Sequence, residues 1–151
     1  MGEYFRIVNL DKKEYIDPHE CEGGVKFWEV VVNQRMPQFL AYILNNYDGI
    51  WAGDRITIIG DYDETQYFAG VENCTIYQLC INQNAPDFDE SFESLNKYRK
   101  ENGHEPVKKS DLFKEISRDM IKEYNDYTQH EECEIEPRDY EEEKKRLGGY
   151  M

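Results

Sequence analysis

Two kinds of apolar pattern divide this chain and constrain its fold. Before residue 85, apolar residues come in short runs rich in β-branched and aromatic side chains, which is typical of strands. After residue 85, they recur at helical spacing. Strands followed by helices favour a sheet with helices packed against it. The sequence therefore predicts an α+β fold, with a small, mostly antiparallel sheet from the N-terminal half and helices largely from the C-terminal half.

Several N-terminal segments are predicted to be strands. Tyr4–Leu10 and Tyr15–Ile16 flank a polar turn, so we expect them to form a hairpin. Val25–Asn33 contains a β-branched run that suits a buried strand. Ile56–Ile59 is a short apolar, β-branched run, which predicts a central strand covered on both faces.

Helices are predicted at both ends of an ambiguous middle segment. The first begins at Pro37 and ends at Asp48, because Pro suits a first helical turn and Gly follows. The segment Asn73–Ile81 fits either a strand or a helix. A second helix is capped by Asp89 and stops at Asn102, which precedes Gly103.

The last two predicted helices differ in character. One is capped by Ser110 and has a solvent face that includes Glu115. Its apolar stripe is expected in the core and consists of Leu112, Phe113, Ile116, Met120, Tyr124 and Tyr127. The other spans residues 137–147, has few apolar residues and places acids before bases, which opposes the helix dipole favourably. This last helix is expected to be peripheral.

Length and composition favour a single folded domain in the cytoplasm. A chain of 151 residues with 39% hydrophobic and 14% aromatic residues can bury a core, so residues 1–151 are expected to form one domain. No apolar stretch is long enough to cross a bilayer, and the N-terminus lacks a signal-peptide pattern. The four cysteines have no CxxC spacing and are interpreted as reduced core residues.

Acidity is the strongest global feature, and it concentrates in two segments. The formal net charge is −14. Eight acids and no Lys or Arg lie between Arg55 and Lys97, and eight acids accompany Arg138 alone between Glu131 and Glu143. Such a field repels phosphates and membrane surfaces and attracts basic proteins. We therefore expect no direct nucleic-acid binding and no membrane contact.

The acidic segments supply the predicted partner-binding residues. Part of the charge in residues 137–147 serves the dipole of its own helix, so the candidates lie elsewhere. They are Asp61, Asp63, Glu64, Asp87, Asp89, Glu90, Glu93, Glu131, Glu132, Glu134 and Glu136. An alternative interpretation is that the charge serves only solubility.

Other chemistry is weakly indicated. Asp61, Asp63 and Glu64 follow a predicted strand, where carboxylates hold Mg²⁺ in some enzymes. No phosphate-binding loop such as GxxxxGK or GxGxxG accompanies them, so no cofactor and no catalytic residue is assigned. Trp28 and Trp51 are interpreted as core residues, with partner anchoring as the alternative.

Two segments carry a resemblance to a known set of proteins. YFRIVNLDKKEYIDPHE at Tyr4–Glu20 and GIWAGDRITIIGDYDE at Gly49–Glu64 resemble an uncharacterised family of archaeal, bacterial and phage proteins. The resemblance implies a prokaryotic or mobile-element setting and brings no catalytic residue or cofactor. Residues 85–151 have no counterpart in it.

The leading hypothesis is a non-catalytic protein that binds a basic protein surface. In a phage or mobile-element setting, one form is an inhibitor of a host nucleic-acid-binding defence complex, an anti-CRISPR-like nucleic-acid mimic in which carboxylates replace phosphates. The alternatives are a small divalent-metal-dependent enzyme or metal-binding protein using Asp61, Asp63 and Glu64, and a housekeeping accessory protein.

Overall fold

The computed structural model describes residues 4–21, 35–64, 70–128 and 134–146. The strands are Phe5–Asn9 (β1), Glu14–Ile16 (β2), Ile56–Gly60 (β3) and Lys114–Glu115 (β4). The α-helices are Arg35–Leu44 (α1), Phe88–Glu101 (α2), Ser117–Thr128 (α3) and Tyr140–Arg146 (α4). Short 3-10 helices span Pro18–Cys21, Tyr77–Leu79 and Lys109–Asp111. The predicted strand Val25–Asn33 and Trp28 lie outside the described residues.

The strands form a mixed, mostly antiparallel sheet in the order β3-β1-β2-β4. β1 pairs antiparallel with both β2 and β3, while β2 and β4 are parallel. The predicted hairpin and the α+β fold class are confirmed. The expected central position of Ile56–Ile59 is wrong, because β3 is at an edge among the described strands. Only alternate residues of β3 face the core, so Ile58 is 46% exposed while Ile59 is 1% exposed.

The two faces of the sheet are covered by different layers. Ile7, Ile16 and Ile116 define what we call the isoleucine face, which packs in one buried cluster with residues of α1 and α3. The opposite face includes Val8, Tyr15 and Ile59, which pack against buried residues between positions 74 and 113. Because side chains alternate along a strand, Arg6 and Asp17 continue this second row. We call Arg6, Val8, Tyr15, Asp17, Ile59 and Glu115 the mixed face.

Trp51 belongs to the layer that closes the isoleucine face. It is fully buried, and its indole Nε1 donates to Glu14 Oε1 at 3.0 Å. α1 ends at Leu44, earlier than predicted, and the chain then folds back so that the Trp51 N–H donates to the Ile43 carbonyl. A Cβ at Gly49 would collide with that same carbonyl oxygen. Gly49 therefore permits the close turn that buries Trp51.

The predicted helix starts were displaced. α2 begins at Phe88, and its N-cap is Asp87, whose side chain makes no capping hydrogen bond within the described chain. Asp89 therefore lies in the first turn instead of at the cap. The predicted stop is confirmed, since Asn102 is the C-cap and Gly103 has a φ of 77°. The ambiguous segment Asn73–Ile81 contains neither strand nor α-helix, only the 3-10 turn given above.

Ser110 does not cap α3, which begins at Ser117. The residues between them pair with β2 instead, since the N–H groups of Lys114 and Ile116 donate to sheet carbonyls at 2.9 and 3.0 Å. This pairing turns Glu115, predicted on a solvent-facing helix surface, into a fully buried strand residue. Backbone pairing with the sheet has overridden the helical spacing of the side chains.

Three amide side chains each bond both backbone groups of one buried residue. In each pair the amide oxygen accepts the residue's N–H and the amide nitrogen donates to its carbonyl, over 2.7–3.1 Å. The pairs are Gln83 with Glu115, Asn96 with Val107, and Asn125 with Ile135. These amides replace a neighbouring strand, so they satisfy backbone groups that burial would otherwise leave unpaired.

Candidate binding cleft

A cleft of about 720 Å³ lies at the end of the mixed face. Its lining includes two arginines, two aspartates and three tyrosines, namely Arg6, Arg138, Asp17, Asp87, Tyr77, Tyr98 and Tyr140. The volume is within the range of small-molecule sites, roughly 300–1,000 Å³. Arg6 and Asp17, which continue the row of Val8 and Tyr15, are part of its lining.

Arg6 and Asp17 form the floor of the cleft. Arg6 Nη1 lies 3.6 Å from Asp17 Oδ1 and donates to the Phe5 carbonyl at 3.0 Å. The guanidinium also lies over the Tyr77 ring, 5.0 Å from its centroid. Burial lowers the pKa of Arg6, but the charge of Asp17 contributes to a net rise, so Arg6 stays charged.

Two buried polar atoms of the mixed face have no partner among the described residues. They are Arg6 Nε and the hydroxyl of Tyr15. Tyr15 is fully buried, and burial raises the pKa of its hydroxyl, with the charge of Asp17 among the smaller causes. Unpaired buried donors are uncommon in folded proteins, so these two atoms are an unusual feature of the mixed face.

A buried carboxylate, Glu20, anchors the opposite wall. Its oxygens lie 3.2 Å from Arg118 Nη1 and 3.6 Å from Arg138 Nη1, and accept from Asn82 Nδ2 at 2.9 Å. The Tyr140 hydroxyl also donates to Glu20. Both guanidinium groups lie over the Tyr140 ring, within 5.0 Å of its centroid. This network fixes the segment leading into α4 against the body of the protein.

Glu115 is a second buried carboxylate near this network. It accepts from the backbone N–H of Ser117 and from Asn84 Nδ2, the latter at 2.8 Å. Burial raises the pKa of Glu115, and the negative charge of Glu20 adds to the rise, against the lowering effect of its hydrogen bonds. Folding therefore favours the protonated form of Glu115.

The described cysteines are core residues, as predicted. Cys21, Cys74 and Cys80 are buried and carry free thiols. Burial raises the pKa of each of them, which keeps the thiol protonated and weakens it as a nucleophile. Cys80 lines the cleft.

The predicted metal-binding carboxylates stabilise a turn. Asp61 Oδ1 accepts the Tyr4 N–H at 3.0 Å, and Asp63 Oδ2 accepts the Gly60 N–H at 2.6 Å. Glu64 is exposed. Within the described residues, no three or more His, Cys, Asp or Glu side chains are grouped to hold a metal ion. The described residues thus do not assemble the site on which the metal hypothesis depends.

Asp61 lies apart from the other two carboxylates. Asp63 and Glu64 line a cavity of about 430 Å³ beside β3, whereas Asp61 is in the lining of neither this cavity nor the cleft. Burial raises the pKa of Tyr77, the charge of Arg6 lowers it, and the charge of Asp61 raises it further.

The predicted acids of α2 are all exposed. Asp87 lines the cleft, together with Ser91, Ser94 and Tyr98, which share one side of the helix. Asp89 and Glu90 lie in the first turn, whereas basic residues lie in the last. This order complements the helix dipole, so the dipole alone accounts for part of the acidic cluster.

The second acidic segment borders the same cleft. Glu134 and Glu136 are exposed on either side of buried Ile135, and Arg138 of the same segment lines the cleft. Glu131 and Glu132 lie outside the described residues. We call the exposed carboxylates of both segments the acidic rim, which consists of Asp87, Asp89, Glu90, Glu93, Glu134 and Glu136.

Apart from Asp87, the cleft residues were missed from the sequence. Arg6 was readable as a lone charge inside an apolar strand, and the run Asn82, Gln83, Asn84 was readable as three consecutive amides. Glu20 and Tyr140 gave no comparable signal, because they meet across 120 residues.

No family model, no curated protein and no solved structure matches this chain. None of the helices in the described ranges has the length and apolar character needed to cross a bilayer.

Proposed function

We propose that this protein is a non-catalytic binding protein whose acidic rim engages a basic protein surface. The observation that carries the proposal is the position of two acidic segments at one cleft. Asp87 lines it from α2 and Arg138 from the C-terminal segment, although they are far apart in sequence. Asp87 at this opening and the exposed acids that follow it on α2 give a partner's Lys and Arg side chains a surface to contact.

An aromatic side chain accompanies the charge. Tyr98 is 58% exposed and lies on the cleft side of α2, in line with Asp87. Tyrosine is among the residues that dominate binding energy at protein interfaces. In this proposal, the carboxylates accelerate encounter and orient the partner, while Tyr98 provides an apolar contact.

The kind of partner follows from the sign of the charge. Surfaces rich in Lys and Arg are typical of nucleic-acid-binding proteins. Carboxylates of the acidic rim would occupy the positions of phosphates, so the protein and DNA would compete for one surface. A defence complex of the host is the specific form proposed for a mobile-element setting.

The test compares two triple charge reversals that change the net charge equally. One variant reverses the rim with Asp89→Lys, Glu90→Lys and Glu93→Lys on α2. The matched control reverses Asp119→Lys, Glu123→Lys and Asp126→Lys, three exposed acids on α3. Binding to a labelled oligo-arginine peptide is measured by fluorescence anisotropy, with unlabelled DNA as a competitor.

The rim variant should lose about 10-fold in affinity at low salt, and the control should lose much less. Raising the salt from about 50 to 300 mM should weaken wild-type binding and shrink the difference between variants. Equal losses in both variants would mean that only net charge matters, and the proposal would be wrong. Salt-independent binding would also contradict it.

A further inference from the structure

The outer edge of β3 carries backbone groups that the sheet does not use. The Asp61 N–H donates to the Tyr4 carbonyl at 3.0 Å. Because bonded residues alternate in an antiparallel pair, every second residue before Asp61 also bonds β1, and Ile56 and Ile58 face the other way. No strand lies on that side of β3 among the described residues. The N–H and carbonyl groups of these two isoleucines are therefore open to a further strand.

This edge is short, apolar and unprotected. Its sequence, ITIIG, has no Lys, Arg or Pro, although exposed edges of natural sheets usually carry such residues, which prevent pairing with another chain. Ile56 is 39% exposed and Ile58 is 46% exposed. The Gly60 N–H already bonds Asp63, so the open part of the edge ends before Gly60.

The cavity of about 430 Å³ lies beside this edge, under the mixed face. Two of its lining residues are apolar, since Ile76 is buried in the cluster of the mixed face and Leu10 packs against that cluster. Asp63 and Glu64 also line it. Apolar walls with carboxylates suit a Lys or Arg side chain, which has an apolar stem and a charged end.

The geometry of the sheet relates the edge to the cavity. Thr57 pairs with Val8 and lines the cavity, whereas Ile56 and Ile58 point to the opposite face. In a strand added beside β3, the residue next to Thr57 would face the cavity, and its two neighbours would lie next to Ile56 and Ile58. The pattern that fits is one basic residue between two apolar ones. A second copy of this chain, with its net charge of −14, would instead be repelled.

We propose that β3 binds an extended segment of a partner protein as an added strand, with a Lys or Arg between two apolar residues. The backbone of the segment bonds Ile56 and Ile58, its basic side chain enters the cavity toward Glu64, and its apolar side chains cover the two isoleucines. This inference does not rest on the proposed function, because no residue of the acidic rim lines the cavity.

The first test titrates the protein with three capped peptides and follows amide chemical shifts in two-dimensional NMR spectra. Thr-Val-Arg-Val-Thr has the proposed pattern and should bind saturably at concentrations up to about 5 mM, with shifts centred on Ile56 and Ile58. Thr-Val-Glu-Val-Thr reverses the charge and should bind about 10-fold more weakly. Thr-Arg-Val-Val-Thr keeps the composition but allows only one valine beside an isoleucine, so it should bind at least about 3-fold more weakly.

Two substitutions test the cavity and the edge, each with a matched control. Glu64→Lys should weaken binding of the arginine peptide by about 5-fold at low salt, whereas Glu123→Lys, at an exposed position of α3, changes the net charge equally and should have little effect. Ile58→Lys should weaken binding by about 10-fold. Its control is Ile50→Lys, at an isoleucine that is 38% exposed and lies outside β3. All four positions are at least partly exposed, so the variants should fold.

Amide hydrogen exchange tests whether the edge is open. In the free protein, the Ile56 and Ile58 amides should exchange much faster than those of Thr57 and Ile59, which bond β1. The arginine peptide should slow exchange at Ile56 and Ile58 by about 10-fold or more. Slow exchange of these two amides in the free protein at every concentration would mean that another part of the chain covers the edge. Slow exchange that appears only at high protein concentration would mean that a second copy does.

Either of those results would overturn the proposal, and so would equal binding of the arginine and glutamate peptides. Peptide-induced shifts confined to the acidic rim would also contradict it. The α2 charge-reversal variant should keep its binding of the arginine peptide at β3, so failure of the acidic-rim proposal can be distinguished from failure of this one.

Discussion

The two faces of the sheet are built from alternate residues of the same strands, yet one packs against helices and the other borders a cleft. The isoleucine face carries Ile7, Ile16 and Ile116, all buried under α1 and α3. The mixed face carries the apolar Val8 and the buried Tyr15 and, further along the same strands, the charged Arg6 and Asp17. The first face is closed by apolar contact along β1 and β2, while the second leaves a cleft where its covering layer stops.

The difference has an energetic side. Glu20 and Glu115 are fully buried, as is most of Arg6, on the side of the sheet that bears the cleft. Buried ion pairs are weak sources of stability, because desolvation offsets most of their attraction. Stability alone therefore does not account for these buried charges.

The largest predicted effect compares two neighbouring residues that face opposite sides. Ile16→Ala should destabilise the protein by about 2–5 kcal/mol, because it leaves a cavity in the closed isoleucine face. The double substitution Arg6→Gln with Asp17→Asn should cost less, about 1–2 kcal/mol, because it removes the ion pair without leaving a lone buried charge and Asn keeps the acceptor for the His19 N–H. Chemical denaturation monitored by circular dichroism measures both unfolding free energies.

The control for this pair is Val8→Ala, which removes a buried residue from the covered part of the mixed face. It should cost about as much per methyl group as Ile16→Ala. A double variant, Arg6→Gln with Asp17→Asn, that is as unstable as Ile16→Ala would show that the two faces are equally closed.

A second prediction concerns the asparagine side chains that bond the backbone of a buried residue on each side of the sheet. Asn96 holds Val107 on the mixed-face side, and Asn125 holds Ile135 beside the isoleucine face. Asn96→Ala and Asn125→Ala should each cost about 1–3 kcal/mol, because each leaves a buried backbone N–H and carbonyl unpaired. Thermal and chemical denaturation should give similar losses for the two variants.

Asn46→Ala, at an exposed position, is the control and should change the unfolding free energy by less than about 0.5 kcal/mol. A loss confined to Asn125→Ala would indicate that solvent already reaches Val107. The mixed face would then be open well beyond the cleft.

The isoleucine face could be predicted from the sequence, but only part of the mixed face could. Apolar alternation in Phe5–Asn9 and the turn before Glu14 were sufficient for the hairpin, because local pattern and turn chemistry agree there. β4 could not be predicted, since Lys114 and Glu115 have no strand pattern and pair with β2 only through their backbone. Local propensity was overridden by a contact that is distant in sequence.

The candidate site was harder to predict for a similar reason. Its acidic rim was identified in part because charge can be counted along a chain. Its floor depends on Arg6 meeting Asp17 and Tyr77, and such a meeting of residues from three segments leaves no spacing to recognise. Acids were therefore assigned to the site, whereas the arginines and tyrosines that line it were not.

The smallest predicted effect uses pH to probe the buried charge of the mixed face. Burial raises the pKa of Glu115 above its ordinary value of 4.5. The protonated form is thus favoured in the folded protein, and its stabilising contribution is complete below the unfolded pKa. That contribution is lost as pH rises through the folded pKa, because the folded protein must then hold a buried carboxylate.

Glu115→Gln cannot ionise, so it should lack this component of the pH dependence. The free energy of unfolding of wild type minus that of Glu115→Gln should fall as pH rises from about 4 to 8, and near neutral pH the two proteins should agree to within about 1 kcal/mol. Glu123→Gln, at an exposed position of α3, provides the baseline for loss of a surface carboxylate. A difference that grows with pH would mean that the Ser117 and Asn84 hydrogen bonds outweigh burial. Glu115 would then stabilise the fold as an anion, and the mixed face would tolerate charge as readily as the surface does.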